Sequence, residues 1–197
     1  MSIGRRSGVL LHVTSLPGPY GAGDFGTGAR RFAEFLKEAG FSLWQLLPLT
    51  PVLPVFGHSP YSSPSAFAGN AALISPELLL EDGLLTRDEI ERAAVPSGRA
   101  ADFDAAAGIR ARLLALAWER FRGGSCPQMT DDFEKFRADE KYWLRDYALH
   151  SLLKKKNGER RWADWPEEFA AHDEAALALF KAAHKNVLSF IEFTQFI

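Results

Sequence analysis

Two short apolar runs, Gly8 to Val13 (GVLLHV) and Ser42 to Leu49 (SLWQLLPL), flank a single amphipathic stretch near the start of this chain. Each run has the length and the flanking Gly, Pro, Ser and Thr residues expected of a buried strand. Pro48 sits near the end of the second, where a missing N–H is tolerated. Between them Phe32, Phe35, Leu36 and Ala39 recur at helical spacing, and Gly40 marks the stop. Strand, loop, helix, strand is a βαβ unit, and such a crossover forces the two strands to pair in parallel. The constraint reaches past topology. Both loops that follow the strands must leave one rim of the sheet, the rim at which α/β folds and barrels bind ligands.

Both of those loops are unusual. Thr14 to Gly26 (TSLPGPYGAGDFG) is dense in glycine and proline. Residues 50–70 contain the segment HSPYSSPSAFAGN, His58 to Asn70, with two prolines, four serines, a tyrosine and a phenylalanine in thirteen residues. No helical or strand period fits this segment, so it was not built to cover a core. Long loops in compact domains are functional or disordered, and the aromatic and apolar content here argues for order. Aromatic faces beside short hydroxyls suit sugar rings, which have apolar faces and hydroxyl edges.

From Ser75 onward the pattern is helical. Ser75-Pro76 opens a short helix ended by Gly83, and Thr86 with Glu89 forms a capping box for the next. Ile109, Leu113, Leu116, Ala117 and Phe121 predict the face of a third, stopped by Gly123-Gly124. Phe133, Phe136, Trp143, Leu144, Tyr147 and Leu152 predict a long fourth. Ala176, Phe180, Ala183, Val187, Phe190, Ile191 and Thr194 predict a fifth. Lys154-Lys155-Lys156 before Asn157-Gly158 reads as a helix C-terminus, where cations oppose the dipole. The last apolar face runs to Phe196-Ile197 without a cap, so the chain is expected to be the N-terminal part of something larger.

Several chemistries are excluded. A net charge of −2 gives no electrostatic footprint for nucleic acid or an anionic membrane. One cysteine, Cys126, allows neither an intrachain disulfide nor a thiolate metal cage, and the five histidines have no metal spacing. No run approaches the ~20 apolar residues of a membrane span, so a cytoplasmic protein is the default expectation. Gly21, Gly23 and Gly26 spell G-x-G-x-x-G, but Thr14 to Tyr20 separate them from the strand and no acid ends the second strand. A dinucleotide site needs both. Sugar-transfer chemistry needs paired carboxylates, and the rim loops hold only Asp24, whose place among glycines suits a turn former. His12 is expected to be a hydrogen-bonded core residue, and His58 is kept as a substrate contact.

The blocks GVLLHVTSLPGPYGAGDFG, LWQLLPL and SPYSSPSAFAGN resemble, in order and spacing, the N-terminal region of the amylomaltases. These are 4-α-glucanotransferases of the disproportionating-enzyme family. A weaker likeness continues through ADFDAA, KYWLRDYAL, RRWADWPEE and FTQFI, so it spans nearly the whole sequence. The resemblance implies an α/β chain forming the N-terminal portion of a (β/α)₈ TIM barrel, with its first two parallel strands and a largely helical insertion. Residues 1–74 would be the first βα units with substrate-facing loops, and 75–197 the insertion and a helix leading toward the next strand. It implies retaining transfer of α-1,4-glucan segments between maltooligosaccharides or starch- and glycogen-derived glucans, with no cofactor and no metal. The loop matching Ser59-Pro60-Tyr61 lines the family's donor subsites, and the ring matching Tyr61 stacks on the sugar at the cleavage point. The implied substrate-binding set is Phe56, His58, Ser59, Tyr61, Ser65, Asn70 and Phe103. The catalytic carboxylates come from later strands, so the 197 residues alone are expected to be inactive. Departures stand at His58, usually Asp or Asn, at Ala71, often Pro, and at Phe56 and Phe103, often Tyr. The competing expectation is a self-sufficient carbohydrate-binding module without catalysis.

Overall fold

The computed structural model describes residues 5–197, which divide into two compact units, one reaching to Pro127 and the other spanning Gln128–Ile197. The first unit holds the sheet. Strand β1 (Gly8–Leu10) pairs in parallel with β2 (Leu43–Gln45), with Gly8 opposite Leu43, Val9 opposite Trp44 and Leu10 opposite Gln45. The Leu11 N–H adds one more bond, to the Gln45 carbonyl at 3.1 Å. Both strands are shorter than the apolar runs that encode them. β1 gives way to a 3-10 turn at Val13–Ser15, and beyond β2 the ladder stops before Pro48, which has no N–H to give. Nor are the strands buried as expected: each alternates exposed and half-buried residues, and Leu10 and Leu43 lie open. A two-stranded sheet covers little of its own surface.

Helix α1 (Thr27–Glu38) makes the crossover. Thr27 donates both its N–H and its hydroxyl to the Glu77 carboxylate, which supplies the cap that Gly26 lacks. Gly40, at φ +81°, ends the helix in the left-handed region. Phe32 meets Trp44 edge to face at 4.9 Å, and the indole N–H of Trp44 donates to the Leu11 carbonyl at 2.7 Å. Val13, Leu16, Ala29 and Leu73 form the buried cluster beneath these rings. Phe35, on the expected apolar face, is exposed. His12 differs from expectation too. Its Nδ1 is buried with no hydrogen-bond partner, and burial pushes the imidazole pKa down.

Helix α2 (Pro76–Glu81) starts at Ser75, whose hydroxyl accepts the Leu78 N–H, and is followed by Gly83 at φ +75°. Helix α3 (Arg87–Ala93) has the capping box that Thr86 and Glu89 foretold: the Glu89 carboxylate accepts the Thr86 N–H at 2.7 Å, and the Thr86 hydroxyl oxygen accepts the Glu89 N–H. Helix α4 (Phe103–Arg122) is capped by Asp102 and buries Ile109, Leu113, Ala117 and Phe121 as their spacing predicts. Leu116 is exposed, and Arg110 is buried in the stripe instead.

In the second unit the long fourth helix is two, α5 (Gln128–Asp139) and α6 (Leu144–Lys156). Trp143 leaves helical geometry at φ −129° and its indole N–H turns back onto the Glu140 carboxylate, which locks the break. α6 ends as its lysines suggest, with Asn157 Nδ2 donating to the Leu153 carbonyl and Gly158 at φ +66°. After the short α7 (Glu167–Ala170), the expected fifth helix is also split, into α8 (Glu174–Ala183) and α9 (Lys185–Phe196). His184 is the cause. Its ring stacks on Phe180 at 4.3 Å and its Nδ1 takes the Phe180 carbonyl at 2.9 Å, competing with the helical ladder. Leu149, Leu153, Trp165 and Leu177 form this unit's core cluster.

One ion pair makes the first unit's stability sensitive to acid. Arg120 meets both oxygens of Glu89, at 2.9 and 3.1 Å, and also donates to the Leu84 carbonyl. These Arg120 hydrogen bonds, helped by the Thr86 N–H and hydroxyl, hold the Glu89 pKa at about 2 against an ordinary 4.5. A depressed folded value stabilises the fold above about 4.5 and is lost as pH falls through about 2. The stability gap between the native chain and Glu89→Gln, measured by urea unfolding, should therefore be full at neutral pH and close across that window.

Candidate functional site

The second rim loop is held by its own backbone and serines. Its two ends are tied together, because the Asn70 N–H donates to the Leu49 carbonyl at 2.9 Å. Asn70 also caps the next 3-10 turn, its Oδ1 accepting the Ala72 N–H at 3.0 Å. Ser65 Oγ accepts the N–H groups of Phe67 and Ala68, and Ser63 bonds twice to the backbone of Ser65. Ser59 Oγ accepts the Tyr61 N–H at 3.3 Å while its carbonyl accepts from Ser62, a tight turn that pushes Tyr61 outward. The result is three exposed rings on one ordered loop: Phe56 at 57%, Tyr61 at 74% and Phe67 at 63% of their full exposure. Three exposed rings on one loop make the kind of surface that marks a candidate interaction site.

At its start the loop is clamped to α4. Gly57 and His58 are consecutive left-handed residues, at φ +63° and +57°, and the N–H groups of Gly57 and His58 return to the carbonyls of Pro54 and Leu53. Left-handed geometry costs a non-glycine residue roughly 1–2 kcal/mol. The His58 side chain offsets it by stacking on Phe103 at 5.2 Å, nearly parallel, and bringing Nε2 to 3.2 Å from the Asp104 carboxylate. The structure thus brings His58 and Phe103 into contact, leaves Tyr61 and Phe56 facing water, and uses Ser59, Ser65 and Asn70 as backbone anchors.

Below the rim lies a buried charge pair. Arg110 and Asp24, with side chains 3% and 13% exposed, meet at 2.6 Å. Arg110 also donates to the carbonyls of Ile74 at 2.7 Å and Tyr20 at 3.2 Å, and its guanidinium lies over the Tyr20 ring at 5.3 Å. Asp24 Oδ1 accepts the Gly26 N–H at 2.8 Å, the turn-former role expected of it. Burial pushes the Asp24 carboxyl up, and the guanidinium and the Gly26 N–H oppose that rise without cancelling it. Burial likewise lowers the Arg110 pKa. This hub joins the first loop, the residues just past the second loop, and α4.

The glycines of the G-x-G-x-x-G pattern serve that packing. A Cβ on Gly23 would stand 2.2 Å from the Val13 carbonyl oxygen, and one on Gly26 would stand 2.2 Å from Ser75 Oγ. Gly21 sits at φ +84° with the Ala106 nitrogen 2.7 Å from where a Cβ would be. These are close approaches of chain to chain, and they account for the pattern without a phosphate.

A parallel βαβ unit whose two ordered loops leave one rim defines an α/β protein with a candidate site on that rim. A family model described as 4-alpha-glucanotransferase matches residues 11–197, and the chain belongs to that family. It is 44% identical over 193 residues to a 4-alpha-glucanotransferase of Aquifex aeolicus, covering 98% of this chain and 38% of that protein. To the 4-alpha-glucanotransferase of Thermus thermophilus it is 41% identical over 197 residues, covering 100% of this chain and 38% of the relative. The solved amylomaltase from Streptococcus agalactiae in complex with acarbose superimposes with a TM-score of 0.87 at 33% identity, over 97% of this chain and 38% of that one. The chain thus spans about two fifths of the length of these relatives. Among the described residues no three His, Cys, Asp or Glu side chains gather as a metal site, and no helix is long and apolar enough to cross a membrane.

Sequence reasoning missed Arg110, Tyr20 and Phe67. The signal for Arg110 was present: Ala106, Arg110, Leu113 and Ala117 share one helical stripe, and a charge on a buried stripe needs a buried partner. Phe67 offered no signal separating it from an anchoring ring. Because removing one partner strands the other charge, Arg110→Ala should destabilise the fold by about 3–5 kcal/mol in urea unfolding. Arg110→Met combined with Asp24→Leu should cost much less than the single change.

Proposed function

We propose that this chain supplies donor-side glucan contacts to a retaining 4-α-glucanotransferase, and that β1 and β2 are neighbouring strands of a (β/α)₈ barrel. Family membership supports the reaction class, and the observation that carries the site is the row of exposed rings on a hydrogen-bonded loop at the carboxyl ends of parallel strands. In this reading Tyr61 stacks against the apolar face of a glucose unit, and Phe56 offers a second ring. Ser59 and Ser65 accept backbone N–H groups and keep their hydroxyl protons to donate to sugar oxygens. Asn70, His58 and Phe103 hold the loop in shape, the last two through their stacked pair.

The substrates are maltooligosaccharides or longer α-1,4-glucans. An oxocarbenium-like reaction requires two carboxylates flanking the bond. Neither rim loop carries such a pair, since Asp24 is buried on Arg110 and the other acids nearby cap helices or, like Asp104, pair with His58. In this reading turnover draws its acids from the part of the relatives' length that these residues do not span.

Calorimetric titration with acarbose or maltotriose should give a saturable isotherm. Tyr61→Ala should weaken it by about 1 kcal/mol, roughly fivefold in Kd, while helical circular dichroism is unchanged. In a maltotriose disproportionation assay the 197-residue chain alone should release no glucose. Glucose release would overturn the assignment of the catalytic acids elsewhere, and an unaltered isotherm for the variant would remove Tyr61 from the contact surface.

A further inference from the structure

The second unit contains a concave site unrelated to the rim. A cavity of about 270 Å³ opens where α5, α6, α8 and α9 meet, and Arg137, Arg145, Lys181, Lys185, Ser189 and Glu192 provide its polar lining. The charges are divided unevenly. Arg137 is neutralised, with Glu134 at 3.0 Å on one side and the buried Glu192 at 2.7 Å on the other. Arg145, Lys181 and Lys185 enter no ion pair among the described residues. Their sequence neighbours offer none either. Three and four residues from Arg145 stand Lys141, Tyr142, Ala148 and Leu149, and from Lys181 stand Leu177, Ala178, His184 and Lys185. Around Lys185 the same positions hold Lys181, Ala182, Leu188 and Ser189. An acid at those spacings would pair with each cation, and the like charges of Lys181 and Lys185, four residues apart, are unfavourable.

Three uncompensated cations converging on one hollow create a positive field that an anion relieves. We infer that this cavity binds a phosphorylated sugar, with the phosphoryl group among Arg145, Lys181 and Lys185 and a hydroxyl-bearing body reaching toward Glu192. A phosphomonoester carries close to two negative charges at neutral pH, which suits three free cations better than a single carboxylate does. Glu192 sets the orientation: held on Arg137 through Oε2, it places a carboxylate acceptor rather than a free cation at that side of the cavity, where a hydroxyl can donate to it. Leu188, half-buried above the core residue Leu149, adds an apolar wall for one face of a sugar ring. The site belongs to different residues from the rim and does not depend on the function proposed above.

The test is calorimetric titration of the 197-residue chain at low ionic strength with three probes: inorganic phosphate, α-D-glucose 1-phosphate and uncharged maltose. Glucose 1-phosphate should bind, tighter than phosphate, and the affinity should fall as salt is raised. The Lys181→Ala/Lys185→Ala double variant and Arg145→Ala should each weaken it roughly tenfold or more, as loss of charge-assisted bonds to phosphate requires. Lys155→Ala, a cation outside the cavity, should leave it unchanged. Equal binding of phosphate and glucose 1-phosphate would overturn the sugar-phosphate assignment in favour of a bare oxyanion. No binding of either, or binding that the cavity variants leave intact, would overturn the site itself.

Discussion

The first unit is organised around a guanidinium in the wrong place. Arg110 occupies a position on α4 that the helical period reserves for an apolar side chain, and it is nearly inaccessible to water. A charge taken out of water is tolerated only where partners satisfy it in full. Arg110 finds a carboxylate, two carbonyls and an aromatic face, and each lies on a segment that has no regular structure of its own. The irregular first loop and the entry to α2 are thereby fixed to a helix. The glycines at 21, 23 and 26 are the complement of that arrangement, because a chain gathered around one side chain must pass close to itself.

How much of this was legible in the sequence depends on the range of the interaction. Signals that act within four residues were readable: the capping box at Thr86 and Glu89, the Ser75-Pro76 start, the stops at Gly40 and Gly83, and the lysine-rich end of α6. The parallel pairing was readable because the crossover leaves no other geometry. What failed were continuities. The apolar period runs through both Glu140–Trp143 and His184, but a side chain in each place competes for a nearby polar group and interrupts the helix. Periodicity reports which face is apolar and carries no information about such competition.

The rim loop was recognised as ordered, and the structure adds what orders it. The serines that composition suggests as ligand contacts also form turns, accepting N–H groups two and three residues ahead. His58 was kept as a substrate contact, and in the structure its ring is engaged with Phe103 and Asp104. Its placement depended on a long-range meeting with the first turn of α4, forty-six residues later, that no local pattern announces.

The serine-made turns have one more consequence. Each hydroxyl that closes a turn removes backbone freedom that Tyr61 and Phe67 would otherwise surrender on meeting the proposed glucan. The ordering entropy is settled when the chain folds, so shallow, weakly attractive surfaces such as flat rings can still discriminate. Rigidity here is a property of affinity as much as of shape.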